Sequence, residues 1–259
     1  MNSVMSNLSG RPLFLFAISF AAMWGCAWLG WALLRKRYPL DEQLREDFGF
    51  ILPAALTLLG LIVGFSFSMA TSRYDQRKNY EEAEANAIGT EFVRVDLLPA
   101  ADAAKVRALL KGYLEERILF YESQNESELG AVNARVSQLQ DQMWAAVVPP
   151  ATANQTPIML LVVAGMNDVL NSQGYTQSAF WYRIPAAAWQ LMIVIAVACN
   201  LLIGYGARGA HSGGKLLLIL PLLIGIAFML IADIDAPRHG LIRVHPQNLY
   251  SLAESLRGK

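Results

Sequence analysis

The sequence predicts an all-α integral membrane protein: four transmembrane helices, with a helical soluble insertion between the second and the third. Three observations lead there. The stretches Pro12 to Leu34, Phe48 to Ser72, Ile184 to Ala207 and Leu216 to Ala232 are apolar and carry no Asp, Glu, Lys or Arg. Apolar residues make up 54 % of the chain and charged ones only 16 %. The polar middle places its apolar residues at helical spacing. In hydrocarbon a backbone must satisfy its own polar groups, and roughly 20 apolar residues cross the bilayer core as a helix. The first three runs meet that length. The fourth is cut short by Asp233, which brings Asp233 and Asp235 to the membrane boundary.

The expected organisation is a helix pair in residues 1–72, the insertion in 73–182, and a second pair with a short tail in 183–259. The first run is too long for a signal peptide, and Arg35-Lys36-Arg37 follows it where a small-residue cleavage site would stand, so it is expected to stay as the first span. Trp28 and Trp31 mark its interfacial end. The second run continues through Arg73 to Ile88 without Gly or Pro, so its helix is expected to leave the bilayer unbroken. Ala85, Ile88, Phe92 and Val95 then share a face until Pro99 stops it.

The next helix, opened by Asp102, carries a stripe of Val106, Leu109, Leu110, Tyr113, Leu114 and Phe120. A third is expected from about Glu128 to Val147, ahead of Pro149-Pro150. Pro157 opens an apolar run, Ile158 to Ala164, too short to span and leading into Gly165-Met166-Asn167-Asp168, which reads as a buried or interfacial helix. From Pro246 the chain forms a short amphipathic tail.

Charge narrows the function. The formal net charge is zero, but Ser72 to Tyr182 holds nine Lys/Arg against fourteen Asp/Glu, a net −5, which excludes a nucleic-acid surface. With cytoplasmic termini, Arg11, Arg73, Arg77, Lys78, Arg183, Arg238 and Arg243 fall inside and Arg35, Lys36, Arg37, Arg45, Arg208 and Lys215 outside. That balance favours cytoplasmic termini and insertion by a narrow margin. Cys26 and Cys199 lie within apolar runs and read as small packed residues, with no disulfide or metal expected. His211, His239 and His245 are scattered in loops and the tail, and no phosphate loop, nucleophile elbow or metal-ligand spacing occurs, so neither enzyme activity nor a cofactor is expected.

The second run carries the most informative pattern. At 100° per residue, Thr57, Gly60, Gly64, Ser68, Thr71 and Asp75 fall in one narrow stripe, with Phe65 and Phe67 beside it. A small, polar face has two readings. Gly60 and Gly64 have the G-x-x-x-G spacing of closely packed helices. The same stripe, or Phe65 and Phe67, could line a hydrated or dewetting pore built from several copies of the helix. Asp233 and Asp235 likewise read either as cation-attracting acids or as the hydrogen-bonding residues of the turn that Pro237 and Gly240 make. Gln190 and Asn200 are expected to bond between helices.

Gly64-Phe65-Ser66-Phe67-Ser68 running into Arg73-Tyr74-Asp75-Gln76-Arg77, Glu84-Ala85-Asn86-Ala87-Ile88-Gly89-Thr90 to Leu98-Pro99, and Asp233 to Val244 (Asp-Ile-Asp-Ala-Pro-Arg-His-Gly-Leu-Ile-Arg-Val) together resemble the bacterial membrane family of unknown function called bestrophin-like. The plan of two spans, a helical intracellular region and two spans resembles bestrophin channels. The resemblance implies cytoplasmic termini and insertion, a homo-oligomer with a pentamer among the candidates, and conduction of inorganic ions along an axis lined by the second helices. The dense acidic calcium clasp of the animal proteins is absent, so calcium gating does not carry over.

The expected function is an oligomeric ion channel of the bacterial inner membrane, cation-preferring because of the acidic insertion and Asp75. The alternative is a non-conducting scaffold or sensor that binds a partner through its insertion. A secondary transporter ranks third, since no inverted repeat is visible.

Overall fold

The structure is a computed structural model that describes residues 12–34, 37–38, 41–207 and 217–258. Arg11, Arg35, Lys36, Arg208, His211, Lys215 and Leu216, which entered the sequence reading, lie outside the described residues. Those described form eight α-helices and no strand. They are α1 (Pro12–Leu29), α2 (Glu42–Arg94), α3 (Ala100–Glu122), α4 (Glu126–Ala153), α5 (Pro157–Trp181), α6 (Ala186–Gly206), α7 (Ile219–Asp235) and α8 (Gln247–Leu256). The chain divides into two compact units: residues 1–73 with 183–243, and residues 74–182 with 244–259. The tail thus belongs to the same unit as the insertion. α2 is one helix that begins in the first unit and ends in the second.

In the first unit, α1 passes into a π-helical turn at Gly30–Leu34. Glycines set how closely α1 meets α6. A Cβ on Gly30 would collide with the Leu201 carbonyl, and one on Gly204 with the Ala27 carbonyl, so the two backbones touch at these residues. Gly206 leaves room for the Phe48 ring in the same way, and a Cβ on Gly225 of α7 would stand 3.2 Å from Phe16. Trp189 and Phe228 pack edge to face with centroids 6.0 Å apart. Cys199 is buried and Cys26 half-buried, and both are free thiols.

Three helical stretches, Pro12–Leu34, Leu44–Leu97 and Pro157–Gly206, the last broken between Trp181 and Ala186, are long and apolar enough to cross a membrane. α7 has 17 residues. Only the apolar part of α2 suits hydrocarbon: beyond Ser72 the helix carries Arg73, Asp75, Arg77, Lys78, Glu81, Glu82, Glu84, Glu91 and Arg94. The helix starts earlier than the apolar run, at Glu42, where the Asp41 carboxylate accepts from the Leu44 N–H at 2.8 Å.

The second unit is built on the amphipathic faces that the sequence predicts. Ile88, Phe92, Val106, Leu110, Tyr113, Phe120, Met143, Val147, Val162, Met166 and Leu249 form one buried core. Two boundaries differ from the sequence reading. α4 does not stop before Pro149-Pro150 but runs through both to Ala153. Two prolines remove two backbone donors, yet Pro150 is buried three residues after buried Val147, so packing of that face holds the helical path. α5 does not end at Gly165-Met166-Asn167-Asp168 but continues to Trp181. Buried Val162, Met166, Val169 and Phe180 keep a helical face against the core across the glycine. Its start is as written in the sequence: Thr156 accepts from the Met159 N–H at 3.3 Å and Pro157 occupies the first turn.

Candidate functional site

The stripe on α2 is open. Thr57, Gly60, Gly64, Phe65, Phe67 and Ser68 are exposed, as is Asp75 further along the helix, and Thr71 is half-buried. A Cβ added to Gly60 or Gly64 would meet nothing within 4 Å. The buried residues of the same apolar stretch are Leu59, Ser66 and Ala70, spaced seven and four apart. At 100° per residue they lie opposite the centre of the small-polar stripe. The covered residues thus lie away from the small-polar stripe, which is left open together with much of the apolar stretch, Leu58, Leu61, Phe65 and Met69 included. Among the described residues nothing packs closely on Gly60 and Gly64, in contrast to Gly30 and Gly204.

Two of the hydroxyls on this face, those of Thr57 and Thr71, point their protons inward. Thr57 Oγ1 donates to the Pro53 carbonyl at 2.9 Å and Thr71 Oγ1 donates to the Phe67 carbonyl at 3.0 Å. A hydroxyl has a single proton to give, so each of these oxygens shows lone pairs to whatever lies on the stripe. At Thr57 and Thr71 the face therefore offers acceptors, while the exposed Ser68 hydroxyl can donate or accept. Phe65, 62 % exposed, and Phe67, 40 % exposed, flank it with aromatic rings.

Asp233 and Asp235 are both buried, at 4 % and 5 % exposure. The Asp233 carboxylate accepts from the backbone N–H of Leu241 at 2.7 Å and of Ile242 at 2.9 Å. Both of its oxygens are used, and they fasten the turn that follows α7. A Cβ on Gly240 would stand 2.5 Å from the Asp233 carbonyl oxygen, which is why glycine is needed there. Asp235 accepts from the Ile184 N–H at 3.1 and 3.2 Å, tying the end of α7 to the segment before α6. Asn200 donates to the Ala196 carbonyl at 2.7 Å, one turn back on its own helix.

In the second unit the sequence reading passed over three buried acids on one face of α2. Glu84 is fully buried and accepts from the Arg117 guanidinium of α3, from Tyr121 Oη at 3.3 Å and from Thr176 Oγ1 of α5 at 3.1 Å. Arg117 also lies over the Phe120 ring, 4.3 Å from its centroid. Burial, and then the Glu84 charge, hold the Tyr113 and Tyr121 hydroxyls well above the usual range. Glu81 accepts from the Asn248 and Leu249 N–H groups at 2.9 and 3.0 Å, so a carboxylate sits at the start of α8. Glu91 is buried beside Gly165. A signal for all three was present: 81, 84, 88 and 91 share a helical face with buried Ile88.

A profile of the Bestrophin-like domain matches residues 17–249. The chain belongs to the Bestrophin-like family. It is a multi-pass membrane protein, as the family and the apolar helices together require. Among curated proteins, none matches significantly. Solved structures of a bacterial bestrophin homologue from Klebsiella pneumoniae share its fold. One mutant form superposes with a TM-score of 0.65 at 12 % identity, covering 95 % of this chain and 97 % of that one. The form phased on zinc gives 0.64 at 13 % identity, with 93 % and 98 % covered. At such identity the likeness speaks for the fold of this Bestrophin-like chain alone.

Proposed function

We propose that this protein is an oligomeric ion channel of the bacterial inner membrane, with the path lined by α2 and a preference for cations. One observation carries the reading: on a helix long enough to cross the bilayer, Thr57, Gly60, Gly64 and Ser68 of the small-polar stripe are exposed and Thr71 is half-buried, away from the side of buried Leu59, Ser66 and Ala70. Hydroxyls and bare glycine backbone are a poor surface for lipid and a suitable one for water or for another copy of the helix. Several copies around an axis would enclose the stripe, with a pentamer as the arrangement the bestrophin resemblance favours. Acceptor oxygens at Thr57 and Thr71, Asp75 beyond them, and an insertion of net −5 would favour cations along and near such a path. Salt screens charge over about 8 Å, so groups on the path outweigh distant acids, and the selectivity is modest. Asp233 and Asp235 act in this reading by fastening the C-terminal end of α7.

In the same reading α7 is the fourth span. Its 17 residues reach the lower end of the length a crossing helix needs. Both termini and the insertion are cytoplasmic, in line with the charge balance. The test is current from purified protein in planar bilayers under a salt gradient. A cation-directed reversal potential supports the reading, and an anion-directed one refutes the selectivity.

A second reading, a scaffold that binds a partner through the insertion, draws on a different observation. Ile158, Leu160 and Leu161 of α5 are 56 %, 65 % and 49 % exposed. Verified, assembled protein that carries no current would favour it.

A further inference from the structure

Glu91 is fully buried, and among the described residues neither of its carboxylate oxygens has a hydrogen-bond partner. It sits where α2 meets α5. Gly165 of α5 lies directly against it: a Cβ there would run into Glu91 Oε2 and come within 2.6 Å of Arg94 Nη1. The carboxyl and the guanidinium therefore share the space above one glycine without bonding to each other. Around them stand the buried apolar residues Phe92, Val95, Val162 and Met166. The charges bearing on Glu91 are Arg94 from its own helix, which favours ionisation, and Asp168 from α5, which opposes it. Asp96 of the turn after α2 is exposed and paired with Arg107 of α3, and Arg107 and Lys111 lie over the Phe92 ring. A buried carboxylate with no donor is costly, and a neutral carboxyl is far less so.

We propose that Glu91 is a proton-binding site whose occupancy sets how α5 seats on the exit segment of α2. With the proton bound, the neutral carboxyl fits under Gly165 and the two helices close over it. When the proton leaves, the carboxylate must either draw Arg94 across Gly165 or push α5 away. Burial, more than Arg94 can offset, pushes this acid from 4.5 up to about 8, which places the change near neutral pH. An acid whose folded pKa lies above its unfolded value stabilises the fold while protonated. That contribution is complete below about 4.5 and is lost as pH rises to about 8.

The test is thermal unfolding of the detergent-solubilised full chain, wild type and Glu91→Gln, from about pH 5 to pH 9, a range that brackets most of this window. Glutamine keeps the shape and cannot ionise. The variant's Tm is expected to gain on the wild type's steadily as pH rises to about 8, and the difference then levels off. A difference that stays constant across the range overturns the proposal. Infrared spectra of the wild type give a second measurement that needs no variant. A protonated-carboxyl band that persists at neutral pH and fades through about pH 8 supports it, and no such band at neutral pH overturns it. Neither measurement depends on whether the protein conducts.

Discussion

Arg117 and Glu84, thirty-three residues apart in the chain, meet as an ion pair with both side chains wholly excluded from solvent. The pair joins α2 to α3, and Thr176 extends it to α5. Removing one partner of such a pair leaves the other charge buried and unmatched, at a cost of about 3–5 kcal/mol. Arg117→Met and Glu84→Gln are each expected to destabilise the protein by that order in denaturant titration. The double variant is expected to be less destabilised than the two losses added together, which a double-mutant cycle measures.

The Asp233 carboxylate accepts from both the Leu241 and Ile242 N–H groups, and it does so from a buried position. Hydrogen bonds to a charged group contribute about 1.5–3 kcal/mol each. Asp233→Ala is expected to loosen the turn around Arg238 and Arg243, so trypsin should cut there faster in solubilised protein. Unchanged cleavage would mean that the turn does not depend on the carboxylate.

The glycines divide into two kinds, and substitution separates them. Gly204→Ala puts a methyl group onto the Ala27 backbone and is expected to lower the Tm of the solubilised protein. Gly64→Ala meets nothing in the chain and is expected to leave it nearly unchanged. Gly64→Leu is expected to shift the mass of the solubilised oligomer, because only a neighbouring copy of α2 would feel it. An unaltered mass would place the subunit interface elsewhere.

The helix content and three apolar stretches long enough to cross a membrane were legible in the sequence because burial in lipid is decided by composition over some twenty residues at a time. The insertion's core was legible through its spacing: Val106, Leu110, Tyr113 and Phe120 are all buried. The ends of α4 and α5 were not, because Pro149, Pro150 and Gly165 are local breakers overridden by contacts from residues distant in sequence. Glu84 and Glu91 share a helical face with Ile88, but that spacing alone does not establish their burial. A carboxylate at the edge of an apolar face reads as solvated until the guanidinium, or the glycine opposite, is known. Which face of α2 the chain itself covers could not be read either, since a stripe of small residues suits a tight helix contact and a pore equally well.

Orientation has its own test. A cysteine at Ser127, on the first turn of α4, is expected to resist a membrane-impermeant thiol reagent applied to intact cells and to react after the cells are opened. Labelling in intact cells would invert the topology.

The central claim is that the open stripe of α2 lines an ion path. Its most direct measurement is current through reconstituted protein carrying Ser68→Cys in a background with Cys26 and Cys199 replaced by alanine, before and after a cationic thiol reagent. Ser68 is exposed on the stripe and Leu59 is buried on the opposite face. The account predicts a cation-preferring current that the reagent blocks at Ser68→Cys and leaves intact at Leu59→Cys. A current indifferent to modification of Ser68→Cys, or no current from correctly assembled protein, would contradict it.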